Sequence, residues 1–199
     1  MSENLVLHTL RCIGFADLGR VAEACGLEES DVESHLIDLA VDGFVTRQRG
    51  EFGGWGLTEP GKDEDARRTA GELDEAGARS AVAGAYQQFR ELNPELLDLS
   101  TAWHMRTVDG VARVNDHADS AYDARVVARF GDLDRRAEPV CADLAAALPR
   151  FRRYRVRLAA ALDRARGGDL KFLADDMNSY HGVWFQLHED LLATLGIPR

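Results

Sequence analysis

The chain has 199 residues, is 45% hydrophobic and 29% charged, and carries a formal net charge of −10 at pH 7. That length allows one large or two small domains with an ample core, and the composition is that of a soluble globular protein. The acidic balance disfavours casual binding to nucleic acid or anionic membrane, and no apolar run approaches the roughly 20 residues of a membrane span.

In chain order, Met1-Ser2-Glu3-Asn4 shows no basic region ahead of a long apolar stretch, so a secretory signal is not expected and the expected location is cytoplasmic. A first helix is expected from about Glu3 to Cys12. Asp17 to Leu27 reads as a second helix stopped by Gly26, and Ser30 to Asp42 as a third, with Leu27, Val32, Leu36 and Leu39 inward at helical spacing. Gly43 ends it. A short ribbon follows, Thr46 to Thr58, with Arg47 and Arg49 beside the turn Gly50-Glu51-Phe52-Gly53-Gly54, where glycines permit the positive φ of a hairpin. Then comes Glu59-Pro60-Gly61.

That order of elements resembles the winged helix-turn-helix domain of bacterial transcriptional regulators of the MarR and PadR type. The resemblance covers residues 1–62 and implies DNA as partner. It also implies a helical second domain, residues 63–199, that dimerises and binds a small effector. Carried onto this chain, the DNA-facing residues are Ser30, Ser34 and His35 on the third helix, which in such domains lies in the major groove, and Arg47 and Arg49 in the wing. The charges depart from the family habit. The outward positions of the third helix include Glu28, Glu29, Asp31, Glu33, Asp38 and Asp42 and hold no Lys or Arg. Residues 1–62 carry five basic and eleven acidic side chains, a net of −6. Neutralising phosphates supplies most non-specific affinity, so this face should repel a duplex and leave the wing arginines as the main contact.

Beyond residue 62, a long helix is expected from Lys62 to Leu92, weakened by Gly71, Gly77 and Gly84. Its apolar face implies a homodimer. Asn93-Pro94 reads as a cap and restart, with the next helix running to about Arg106. Thr107 to Asp119 breaks the pattern. A further helix begins near Ser120 and is kinked or divided by Pro139; another runs from Pro149 to Gly167-Gly168, and a last one from Asn178 to Thr194. No strand is expected after the ribbon, so the fold class is mainly α, ending in a helical bundle.

The last helix is the densest in chemistry. His181, Trp184 and His188 share one face, beside a stripe of Tyr180, Val183, Leu187 and Leu191. Two histidines two turns apart rise by roughly 10 Å, too far for one compact metal ion. They could instead flank an aromatic pocket floored by Trp184, or belong to an ordinary core helix. Asn115-Asp116-His117 lies in the one substantial loop, where a histidine beside carboxylates suits a general base, a metal ligand or a simple cap. Trp103 and Arg106 could add stacking and carboxylate pairing. The candidate ligand-binding set is therefore Trp103, Arg106, His117, His181, Trp184 and His188, taking a small anionic or aromatic effector. Convergence of His117, His181, His188 and Glu189 on a metal is the alternative.

Arg150, Arg153, Arg157 and Arg164 form a basic stripe that suits an anionic ligand or ion pairs with this chain's own acids. Cys12, Cys25 and Cys141 are odd in number and widely spaced. They read as buried free thiols, with a redox or metal role as the alternative. Basic charge rests on 22 arginines and two lysines, which suggests a GC-rich genome. No phosphate-cradling glycine loop, nucleophile elbow or Cys-x-x-Cys is present, so no cofactor, metal or catalytic residue is assigned. Ser179 to Asp190 resembles helical regions that accompany actinobacterial pyruvate, phosphate dikinase-like proteins. That likeness implies a different role: a protein-binding, accessory or catalytic module beside a phosphotransfer enzyme, with the acidic N-terminal domain as a scaffold that does not bind DNA.

Overall fold

The structure, a computed structural model, describes residues 2–50 and 53–198. The chain is 72% helical, with eight α-helices and two small antiparallel sheets among the described residues. No helix of these residues is long and apolar enough to cross a membrane. The chain divides into two compact units: residues 1–80 with 186–199, and residues 81–185.

The first unit begins with α1 (Ser2–Ile13), α2 (Leu18–Cys25) and α3 (Glu29–Val41). Asp17 caps α2 by accepting from the Arg20 amide at 2.9 Å, and Gly26 stops it in the left-handed region at φ 70°. The expected inward stripe of α3 holds: Val32, Leu36 and Leu39 are buried with Leu7, Leu10 and Val21 in one core. The ribbon is β1 (Val45–Gln48) with β2 (Gly54–Leu57), in the register Val45↔Leu57 to Gln48↔Gly54. An isolated bridge, Ala16↔Trp55, ties its second strand to the α1–α2 loop. Arg47 lies over the buried Trp55 ring, 5.3 Å from its centre. Thr58 then caps α4 (Glu59–Glu75) and donates to the Gly43 carbonyl at 2.7 Å.

The uninterrupted helix expected over Lys62–Leu92 does not form. α4 ends at Glu75, and α5 (Arg79–His104) is a separate helix. Gly77, at φ 58°, sits in the left-handed conformation that terminates a helix, and the Gly77 and Ala78 amides close back on α4 carbonyls.

The second unit departs from expectation in three places. Asn93-Pro94 is no restart: Pro94 lies inside α5, and Asn93 spends its carbonyl oxygen on the Trp184 indole N–H at 3.0 Å. Pro139 does not divide α6 (Ser120–Ala147), although each proline removes one amide from its ladder. The segment after α5 contains strands, β3 (Met105–Val108) and β4 (Val111–Val114), joined by Asp109-Gly110 with both residues at positive φ. The unit is therefore helical with a hairpin, not all-helical. Pro149–Phe151 form a short 3-10 turn before α7 (Arg152–Arg166); of α8 (Tyr180–Leu195), residues 180–185 belong to this unit and the remainder to the first.

A polar brace holds α6, α7 and α8 together. Arg155 grips Asp134 with two nitrogens at 2.5 and 3.0 Å, and the Tyr180 hydroxyl donates to the same carboxylate at 3.2 Å. Burial and the Asp134 charge push the Tyr180 hydroxyl well above its ordinary pKa. Burial likewise pushes the Cys141 thiol up to about 11, leaving it a packing group with little nucleophilic character.

Candidate functional site

The hairpin end of α5 gathers the densest polar constellation of the second unit. The loop Asn115–Asp119 runs back against α5: the Asn115 amide donates to the His104 carbonyl at 2.8 Å, and the Tyr122 hydroxyl to the Ala102 carbonyl at 2.8 Å. Asn115 is buried and its side-chain NH2 spends its two hydrogens on the Trp103 carbonyl (3.0 Å) and Asp123 (2.8 Å). His117 Nδ1 then donates to the other Asp123 oxygen at 3.0 Å. Asp123, itself buried, fixes the imidazole orientation.

The His117 backbone stands at φ 57°, a left-handed conformation that costs a non-glycine residue roughly 1–2 kcal/mol. Its ring packs on Trp103 at 4.3 Å, and the side chain is 37% exposed. A second histidine–carboxylate pair lies beside it. His104 Nδ1 donates to the Ser100 carbonyl at 2.8 Å and Nε2 meets Asp175 at 2.8 Å, while Asp175 also accepts from the Trp103 indole at 2.9 Å. The Ser100 carbonyl, followed by Asp175, holds the His104 pKa above the ordinary histidine value despite partial desolvation. His181 goes the other way, lowered by burial first and by the His104 charge second.

Of the six ligand residues expected from sequence, Trp103, Arg106 and His117 share this neighbourhood, and His181 lies within range of the His104 charge. Arg106 is not open for an anion: its terminal nitrogens face Asp116 at 2.8 Å and Asp119 at 3.7 Å. Trp184 is a core residue, stacked on Phe89 at 4.6 Å. Neither tryptophan offers a ring face to a ligand, since Trp103 is 1% and Trp184 2% exposed. His188 belongs to the other compact unit. His104 and Asp175, the better-placed pair, were not singled out from sequence; a histidine in the last turn of a helix, next to the Trp already chosen, was the available signal.

The basic stripe of the 3-10 turn and α7 makes both ring stacks and polar contacts within the chain, Arg164 pairing with Asp169 at 3.1 Å. Arg150 lies over Phe151, Arg153 over Tyr154 and Arg164 over Phe172 at 3.5 Å from the ring centre, with Arg157 donating to Asn178.

On the first unit, the residues expected to face DNA sit as follows. Ser30 and Ser34 are exposed on α3, His35 is half-buried, and Arg47 and Arg49 are exposed on the ribbon side. Ser34 turns its hydroxyl back to the Ser30 carbonyl at 3.0 Å. Between the α3 acids, Ile37 is 51% and Val41 82% exposed. Comparison of the chain with family models, curated proteins and solved structures finds no match in any of the three.

Proposed function

We propose that the first unit is a winged helix and that the chain is a transcriptional regulator meeting DNA through the β1–β2 ribbon rather than through α3. The observation that carries this reading is the order of three helices and an antiparallel ribbon, bridged by Ala16 and Trp55, with Arg47 and Arg49 exposed at the ribbon. Arg47 is exposed while its guanidinium lies over the Trp55 ring, a cation–π contact that partly orders it at the ribbon. The acidic α3 face steers the contact away from the major groove. A homodimer belongs to this reading. It is supported by the exposed Met105, Val111 and Val114 on a two-stranded hairpin, which alone is marginally stable. The solvent-facing His117 and His104 are where a small effector with hydrogen-bonding groups would act on the second unit.

A second reading, a protein-binding module, is favoured by Ile37 and Val41. Exposed aliphatic residues flanked along α3 by Glu33, Asp38 and Asp42 suit a partner protein with a basic rim better than a duplex.

Fluorescence anisotropy with duplex DNA across a salt series separates the two. The regulator predicts that Arg47→Ala with Arg49→Ala weakens binding and lowers the salt slope by about two, while Glu33→Gln strengthens it. Unchanged affinity in both variants overturns the DNA reading. Loss of partner capture in Ile37→Ser with Val41→Ser, with DNA binding absent throughout, establishes the second.

A further inference from the structure

The first unit contains a second histidine cluster that neither reading uses. His8 and Cys12 lie one turn apart on α1, on the same face. Asp190, from the C-terminal segment belonging to this unit, meets them. His8 Nε2 lies 3.0 Å from Asp190 Oδ1 and 3.7 Å from Cys12 Sγ, and the three donor atoms all fall within 4.8 Å of one another. They are core residues: His8 is 3%, Cys12 4% and Asp190 0% exposed.

We infer that His8 Nε2, Cys12 Sγ and an Asp190 carboxylate oxygen form a binding site for a thiolate-tolerant divalent cation of the zinc class. Tetrahedral coordination with bonds of about 2.0–2.3 Å needs donors about 3.4–3.6 Å apart; the two spacings from His8 Nε2, 3.0 and 3.7 Å, lie within a few tenths of an ångström of that, and the Cys12–Asp190 spacing, at most 4.8 Å, closes by a side-chain adjustment. The second observation lies behind the histidine. Asp65, from α4 and itself buried, faces His8 Nδ1 at 2.9 Å, with the Thr69 hydroxyl at 3.4 Å. A carboxylate on the far ring nitrogen is the outer contact that orients metal-binding histidines and leaves Nε2 as the ligand atom. Asp190 is oriented in the same way, accepting from the Thr194 hydroxyl at 3.0 Å.

The mixed nitrogen, sulfur and oxygen set selects zinc-class ions over magnesium or calcium. Three protein donors leave the fourth position to water. On binding, the Cys12 thiol releases its proton to solvent and the sulfur lone pair forms the metal bond. The ion ties α1 to the C-terminal part of α8, and Asp65 adds α4 through the histidine.

The test uses the full chain. Expression in zinc-supplemented medium, desalting and mass-spectrometric metal counting should give about one zinc per chain. Refolding the metal-free chain in cobalt(II) should give a thiolate-to-cobalt charge-transfer band in the near ultraviolet, with strong visible bands of tetrahedral geometry. Cys12→Ser should remove the charge-transfer band and weaken binding at least about tenfold, and Asp65→Asn should weaken it about 10–100-fold. Wild-type chain that holds neither zinc nor cobalt overturns the site, and so does cobalt bound without a thiolate band. Retention of full affinity by Cys12→Ser overturns the ligand set. The wild-type spectrum decides the matter even where a variant fails to fold.

Discussion

The clusters around His8 and around His117 use the same parts, an imidazole set against carboxylates, at opposite depths. His8 is enclosed between Asp65 and Asp190, with both ring nitrogens engaged and every member buried. His117 is held by Asp123 through Nδ1, and its side chain is 37% exposed. Depth changes what the pair is for. A buried set stands or falls as a unit, because removing one member strands a charge in low dielectric. In the His117 pair only the carboxylate is buried; the open imidazole is partly screened by water, and Asp123 keeps its bond to Asn115 when the histidine is removed, so the histidine contributes less to folding and is left available for a ligand.

The largest expected effect breaks that comparison directly. His8→Ala should cost about 3–5 kcal/mol of unfolding free energy, since it leaves two carboxylates facing one another across a core void. His117→Ala should cost about 1 kcal/mol or less. Denaturant melts of both variants measure the difference, and equal losses would show that burial does not separate the clusters.

A middle-sized effect sharpens the same point. The stability of the open cluster resides in Asn115 rather than in its histidine, because Asn115 is buried and joins Trp103, Asp123 and the hairpin base. Asn115→Ala strands a buried carbonyl and a carboxylate oxygen and should cost about 2 kcal/mol, more than His117→Ala. Chemical denaturation checks the order; the reverse order would make His117 the structural member of its cluster.

Much of the architecture was legible because burial repeats at helical spacing. Val32, Leu36 and Leu39 on α3, and Tyr180, Val183, Leu187 and Leu191 on α8, all lie in the core as their periodicity implies. The β3–β4 hairpin was missed although its turn, Asp109-Gly110, is a strong two-residue hairpin signal. Its strands are four residues long and β4 is wholly exposed, so no apolar alternation marked them. Pro94 and Pro139 misled for the opposite reason: tertiary packing carries α5 and α6 through residues whose local preference is to stop. The His8 cluster was invisible to spacing. His8 sits inside an apolar run, and Asp65 and Asp190 come from distant helices, at positions that local pattern cannot distinguish from solvated acids. Trp103 and Trp184 lie in the core: same-face spacing predicts a shared direction, not whether that direction is solvent or core.

The smallest expected effect concerns the second unit's own histidines. The His104 pKa is raised above 6.5, so the stability it contributes is fully present below 6.5 and is lost as pH rises through its folded value. The His181 pKa is lowered from the same value, so its contribution is present above 6.5 and is lost as pH falls through its folded value. The two therefore oppose, and the net dependence of stability on pH near 6.5 should be shallow. Imidazole NMR titration should find His104 above 6.5 and His181 below it. His104→Asn removes the like charge facing His181 and should move His181 upward, though not back to 6.5, because burial is the larger cause of its shift. A His181 titration unmoved by His104→Asn would mean that the two imidazoles do not sense each other. In that case His181 is a packing residue of α8 and no part of the open cluster.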